Sequence, residues 1–202
     1  MNMFDNQKIN IFGAGGHAKV IIEALAESGV EIDTIFDDDL SKTELLGIPI
    51  QQKNVKSPLI VAVGNNAVRK KIVDEFLTQM LYPNAISKTA IVSKSVKIGE
   101  GSVILQGAII QASTIIGNHV IINTGASVDH DCIIENFVHI APGCHLCGGV
   151  HVGEGTLVGA GSVVIPGIKI GKWSVIGAGS VVVKDIPDNI LCVGNPCKEI
   201  IK

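Results

Sequence analysis

At 202 residues and a net charge of −3, with no run of Lys or Arg, the chain is not built for general nucleic-acid binding. Hydrophobic residues make up 47% of it but aromatics only 3%, and 23 glycines accompany them, so a core of aromatic bulk gives way to thin layers of small aliphatics. No stretch reaches the roughly 18 apolar residues of a membrane span, and the start "MNMFDNQKIN" has no apolar leader; the five cysteines are therefore expected as reduced thiols in a soluble cytoplasmic protein.

The first segment, residues 1–83, alternates strand and helix. "KINIFGAGG" is an apolar strand running into glycines, and "HAKVIIEALAESG" has helical apolar spacing at Val20, Ile21, Ala24 and Leu25, with Gly29 as its stop. "IDTIFDDD" is a second strand ending in three aspartates. "PLIVAVGNN" is a third, followed by the helical "AVRKKIVDEFLTQM" over 67–80. Such units predict a small Rossmann-like parallel sheet with helices on its faces.

"GAGGHA" formally satisfies G-x-G-x-x-G/A, and Asp37 follows about twenty residues later. About eighty residues supply only half of a dinucleotide fold, so a mononucleotide is the expected ligand. At Gly13 a purely structural strand–helix turn is a credible alternative.

The remainder, 84–202, is a repeat of period six. From Val92 the positions Ile98, Ile104, Ile110, Ile116, Ile122, Val128, Ile134, Ile140, Leu146, Val152, Val158, Val164, Ile170, Ile176 and Val182 are all aliphatic, with no insertion. Small or β-branched residues follow four later, and Gly often follows directly, as at Gly99, Gly117 and Gly159. This is the hexapeptide pattern of a parallel β-helix. Three hexads make one triangular coil, with the aliphatic inside, the small residue at a corner and the following glycine easing the tight turn. About five coils are expected, each adding roughly 4.8 Å.

"INTGASVDHDCIIENFVHIAPG" interrupts the aliphatic run with titratable groups. His130 and His139 occupy no inward position of the hexad, so both are expected to face outward. An imidazole is a base near neutral pH, and Asp131 beside His130 can fix its tautomer. Cys144 falls on an inward small position, so the Cys144–Cys147 pair reads as packing rather than as a metal or redox site.

With "GAGGH" at 13–17, "FDD" at 36–38, "VGNNAVRKKI" at 63–72, "NTGASVDHD" at 123–131 and "ENFVHIAPG" at 135–143, essentially the whole chain resembles bacterial sugar acyltransferases. These combine a left-handed parallel β-helix with a small N-terminal nucleotide-sugar-binding domain. The resemblance is to the UDP-N-acetylbacillosamine N-acetyltransferase type; sialic acid O-acetyltransferases share the architecture.

It implies acetyl-CoA as co-substrate, a UDP-linked 4-amino-4,6-dideoxy sugar as acceptor, and a homotrimer with no metal. It also implies roles: His130 as general base, Asp131 as its support (where the family pattern often has Glu), Asn123 at the acceptor and the Gly148 amide at the developing oxyanion. His139, Ala160 and Ala178 would line the CoA site. Gly15, Gly16, His17, Asp37, Asp38, Gly64, Asn65 and Arg69 would surround the UDP moiety. O-acetylation of a sialic acid or another surface-glycan sugar is the alternative within the family.

Two other classes compete. A metal-dependent β-helix enzyme of the γ-carbonic anhydrase kind needs converging histidines, but His145 and His151, one hexad apart, fall on different faces. A catalytically silent scaffold leaves the His130–Asp131 pair without a purpose.

Overall fold

The computed structural model describes residues 8–76 and 80–200, so the polar start and the end of the second predicted helix lie outside the described residues. The N-terminal unit holds β1 (Ile9–Phe12), α1 (Gly16–Glu27), β2 (Ile32–Phe36), β3 (Glu44–Leu45), β4 (Ile48–Gln51), β5 (Leu59–Val61) and α2 (Asn66–Phe76). Its sheet runs β3-β4-β2-β1-β5, parallel except for the β3–β4 hairpin. The three expected strands are the adjacent β2, β1 and β5, and α1 covers one face with Ala18, Ile21, Ile22, Ala24 and Leu25. Gly29 ends α1 at a φ of 75°, its amide donating to Ala26. The hairpin was not anticipated: the left-handed pair Leu46 and Gly47 makes its turn.

From Ala85 the chain winds into a three-sided prism. Up to Val182 each coil takes 18 residues, so Ile121–Ile122 pairs with His139–Ile140, Ser127–Val128 with His145–Leu146, and Ile133–Ile134 with His151–Val152; the last step shortens to 16, with Val175–Ile176 on Leu191–Cys192. The three 18-residue pairs define the first, second and third faces. Hexad aliphatics from Ile104 to Val182 are at most 2% exposed and form one continuous core. The structure is the expected parallel-sheet region followed by a β-solenoid of the left-handed hexapeptide kind.

The glycines differ from expectation. Those directly after the aliphatic are required by space: a Cβ on Gly159 would lie 2.6 Å from the amide nitrogen of Ala178 on the next coil. The left-handed turn position comes three residues after the aliphatic, in one column at each of the three corners, the glycine-rich one running from Gly107 through Gly125, Gly143 and Gly161 to Gly179. Asp131 holds the same left-handed conformation in the second column at a φ of 58°, and His119 and Phe137 hold it in the third, with Gly101, Gly155 and Trp173, at 54° and 59°.

Cys144 is fully buried, as its inward position predicted. The sulfur atoms of Cys192 and Cys197 are in contact, with Cα atoms 5.7 Å apart, while Cys132, Cys144 and Cys147 are free. Among the described residues no helix is long and apolar enough to cross a membrane.

Candidate active site

His130 and Asp131 stand at the corner between the second and third faces. The His130 Nδ1 lies 2.8 Å from an Asp131 carboxylate oxygen, and both side chains are well exposed. A carboxylate only accepts, so Nδ1 carries the proton and Nε2 presents a lone pair outward. The bond to Asp131 raises the His130 pKa above its usual 6.5, and the negative charge of Asp129 adds to this. Asp131 reaches that position because the turn holds it in the left-handed region, which Asp tolerates better than most side chains.

One coil on, Gly148 packs directly on the His130 ring. A Cβ there would fall 2.6 Å from Cε1 and Nε2, so only glycine leaves the imidazole its place. The flanking amides of Cys147 and Gly149 donate to Val164 and His130, while among the described residues the Gly148 amide makes no backbone hydrogen bond. A base and a free amide thus share one corner.

His139 leaves the prism outward from the first face, as expected, and is half-buried there. The N-terminal domain covers it. Its Nδ1 is 3.3 Å from the carbonyl oxygen of Gly64, an acceptor, so Nδ1 is the protonated nitrogen; Nε2 then accepts from the Asn123 amide at 3.0 Å. Both nitrogens are committed, and a contact to acetyl-CoA has to displace Asn123. Asn123 is held further by its Oδ1, which accepts from the Thr124 amide at 2.8 Å. The His17 ring centre is 6.3 Å from that of His139, and its buried Nε2 has no hydrogen-bond partner. Burial, reinforced by the nearby Arg69 charge, lowers both histidines to a pKa of about 4. At neutral pH they are uncharged hydrogen-bonding groups.

The glycine turn divides by role. Gly13 is structural: its φ is 107° and a Cβ would meet the Ala62 carbonyl oxygen at 2.9 Å. Gly15 and Gly16 face open space, and the amides at the start of α1 have no side-chain cap. That is the arrangement in which a helix terminus receives phosphate. Asp37 ties the turn down, accepting from the Ala14 amide at 2.6 Å, the Asp39 amide at 2.9 Å and Lys42 at 3.0 Å. Burial raises its pKa, but the Asp39 amide, Lys42 and the Ala14 amide outweigh it, and the carboxyl stays below its usual range. Asp38 and Asn65 are exposed beside it, and Gly64 is half-buried.

Arg69 is the clear correction. It is 1% exposed, and all five guanidinium donors are used inside the protein, on His119, Val63, Gly64, Asn66 and Phe137. Nothing remains for a nucleotide. Asn66, His119 and Phe137 were missed at the sequence level; the signal was two bulky residues, 18 apart, at turn positions that glycine fills one coil before and one coil after, Gly101 and Gly155.

Ala160 and Ala178 are exposed on the corner between the first and second faces, on the column of corner turns that also carries Asn123 and Thr124. His130 and Gly148 occupy the next corner round the prism. The expected site residues therefore fall into two sets at the two edges of the second face. His145 bonds Ser127 at 2.8 Å on the second face, and His151 bonds Glu135 at 2.8 Å on the third. Among the described residues no three His, Cys, Asp or Glu side chains are grouped to hold a metal ion.

Residues 8–76 match the PglD N-terminal domain, and 131–165 and 149–184 match the bacterial transferase hexapeptide repeats. The chain is 42% identical over 117 residues to UDP-N-acetylbacillosamine N-acetyltransferase of Bacillus subtilis, a match over 49% of this chain and 51% of that enzyme. It spans about half or less of the length of the curated relatives it matches.

Solved structures match throughout. A histidine-to-asparagine variant of perosamine N-acetyltransferase from Caulobacter crescentus, in complex with CoA and GDP-perosamine, superposes with a TM-score of 0.94 at 40% identity, covering 98% of each chain. The acetyltransferase domain of PglB from Neisseria gonorrhoeae in complex with acetyl coenzyme A superposes at 0.89 with 37% identity, covering 96% of this chain and 100% of that one. With both its domains matched in order and whole-length relatives well above 30% identity, the chain belongs to the hexapeptide-repeat sugar N-acetyltransferases that carry a PglD-type N-terminal domain.

Proposed function

We propose that the protein transfers the acetyl group of acetyl-CoA directly to the amino group of a nucleotide-linked 4-amino sugar, with His130 as general base. The observation that carries this reading is the His130–Asp131 pair packed on Gly148, an oriented base beside a free amide. The sugar nitrogen attacks the thioester carbonyl, a C–N bond forms and the C–S bond breaks. The nitrogen's proton passes to His130 Nε2 and from there to the departing CoA sulfur. The Gly148 amide faces the oxygen on which negative charge develops, a role that rests on close approach. No covalent acyl-enzyme is required.

The nucleotide half of the acceptor belongs to the N-terminal domain, its diphosphate at the open Gly15–Gly16 turn and its sugar beside neutral His17 and Asn123. Neutral imidazoles there suit an acceptor whose amine must shed its proton. The pantetheine arm runs along the corner bearing Ala160 and Ala178. The reaction is placed in the cytoplasm, where acetyl-CoA is supplied.

We infer a homotrimer from the same geometry. The two residue sets flank the second face at different corners, so a second copy has to bring its opposite corner up to complete each cleft, and closed threefold symmetry supplies three such clefts.

UDP is the carrier favoured by the Bacillus subtilis relative, as in the UDP-N-acetylbacillosamine type. A second reading has GDP, because the relative matching over 98% of the chain was solved with GDP-perosamine. One panel decides: UDP-, GDP- and dTDP-linked 4-amino sugars and sialic acid, each with acetyl-CoA and thiol release as readout. Selective turnover of a nucleotide amino sugar is expected. Turnover of sialic acid alone overturns the N-acetyl reading.

A further inference from the structure

We propose that Arg69 is a positioning residue: it locks the nucleotide-binding loop Val63–Asn66 onto three successive coils of the prism, and so sets where the acceptor's amine lies. This inference rests on the acceptor reading above.

The arrangement is specific. Nη1 donates to the carbonyl oxygens of Val63 at 2.9 Å and Gly64 at 3.3 Å, both in the loop. Nε reaches back to the prism at His119, 2.9 Å, and Nη2 to Phe137, 2.8 Å, one coil higher. The remaining Nη2 proton goes to Asn66 Oδ1 at 2.9 Å, and the Asn66 amide continues the bridge to Gly155 at 3.0 Å and Thr156 at 3.2 Å. Residues 119, 137 and 155 are spaced by one coil each and occupy one corner. The same Gly64 oxygen also lies 3.3 Å from His139 Nδ1, which ties the loop to the first face beside Asn123.

Stability alone does not account for this choice. Among the described residues no carboxylate pairs with Arg69, and desolvation lowers its pKa to about 9. A long apolar side chain would bury the same surface without desolvating a charge. What a planar fork of five donors adds is direction, since each bond fixes one carbonyl in one plane. The seat is shaped for it as well. His119 and Phe137 stack with centroids 5.2 Å apart, Tyr82 meets His119 edge-on at 4.7 Å, and both seat residues hold the left-handed backbone that Gly101 and Gly155 hold on the coils before and after them. Misplacing a reacting atom by about 1 Å can cost about 10²-fold in rate, so a loop that tilts on the prism matters to turnover even when it still binds nucleotide.

The test uses the full-length protein with Arg69→Met. Hydrogen exchange is expected to rise across residues 63–69 while the prism strands keep their protection. Acetyl-CoA should bind with unchanged stoichiometry and with Kd within about threefold, because that groove runs along a corner of the prism the clamp does not touch. Turnover of the nucleotide sugar identified by the panel should fall about 10²-fold, with KM for acetyl-CoA unchanged. A plain folding defect would instead lower the CoA stoichiometry in step with activity, and that result overturns the proposal. So does unchanged exchange over 63–69. Arg69→Lys keeps the charge but not the fork; it should show the same selective loss in smaller measure and carries the test should the methionine variant not fold. If no nucleotide amino sugar is turned over by the native protein, the functional reading fails, while the exchange measurement still decides the clamp.

Discussion

At the scale of single residues, the proposed chemistry turns on one imidazole and what touches it. Replacing His130 with Ala should lower kcat by about 10²–10⁴, the range for removal of a positioned base. Stability should hardly move, since the side chain is exposed and leaves no cavity. The pH profile gives a sharper check. As the proposed base, His130 would act only when neutral, and its pKa is raised by Asp131 and then Asp129. Activity should therefore rise with pH through an apparent pKa above 6.5. Asp131→Asn removes the larger cause, so the acid limb should move toward lower pH even as the maximal rate falls. An unmoved limb in that variant means the titrating group is not His130. His17 and His139, lowered to about 4, are already neutral across this range and cannot supply the limb.

At the scale of elements, two-residue strands carry the prism. Each has one aliphatic inside and one side chain outside, so neighbouring isoleucines have opposite fates. Ile134 is 1% exposed whereas Ile133, beside it, is 43% exposed. Ile134→Ala should cost about 2–5 kcal/mol, because a continuous core cannot close over the missing atoms. Ile133→Ala should stay within about 0.5 kcal/mol as a surface change. Chemical denaturation of the two variants separates them, and similar losses would mean the hexad phase is misassigned.

That phase was legible from sequence because it is repeated sixteen times with no insertion, and with it came the outward direction of His130 and the inward one of Cys144. What covers an outward residue was not legible. His139 and Arg69 are placed by packing between segments some 50 to 75 residues apart, and nothing local marks a donor already spent on distant carbonyls. The β3–β4 hairpin escaped for a simpler reason: two-residue strands around Leu46 and Gly47 are too short to show a period.

At the scale of the whole molecule, the split of the site across two corners makes a prediction that activity of a single variant cannot reach. His130→Ala disables one corner of each prism. Ala160→Trp, on the exposed opposite corner, should block the groove there while leaving the core intact. Each variant alone should be inactive as a trimer. When the two are unfolded together and refolded in equal amounts, a cleft draws its base from one copy and its groove from the neighbour. With random assembly about one cleft in four (one half times one half) receives the sound version of both. About a quarter of native activity should therefore return, though neither parent has any. If each prism held a complete site of its own, every cleft would carry one lesion or the other, and mixing would restore nothing. Sedimentation of the mixture as trimers, with no recovered turnover, would place both corners' chemistry within one chain and refute the shared cleft.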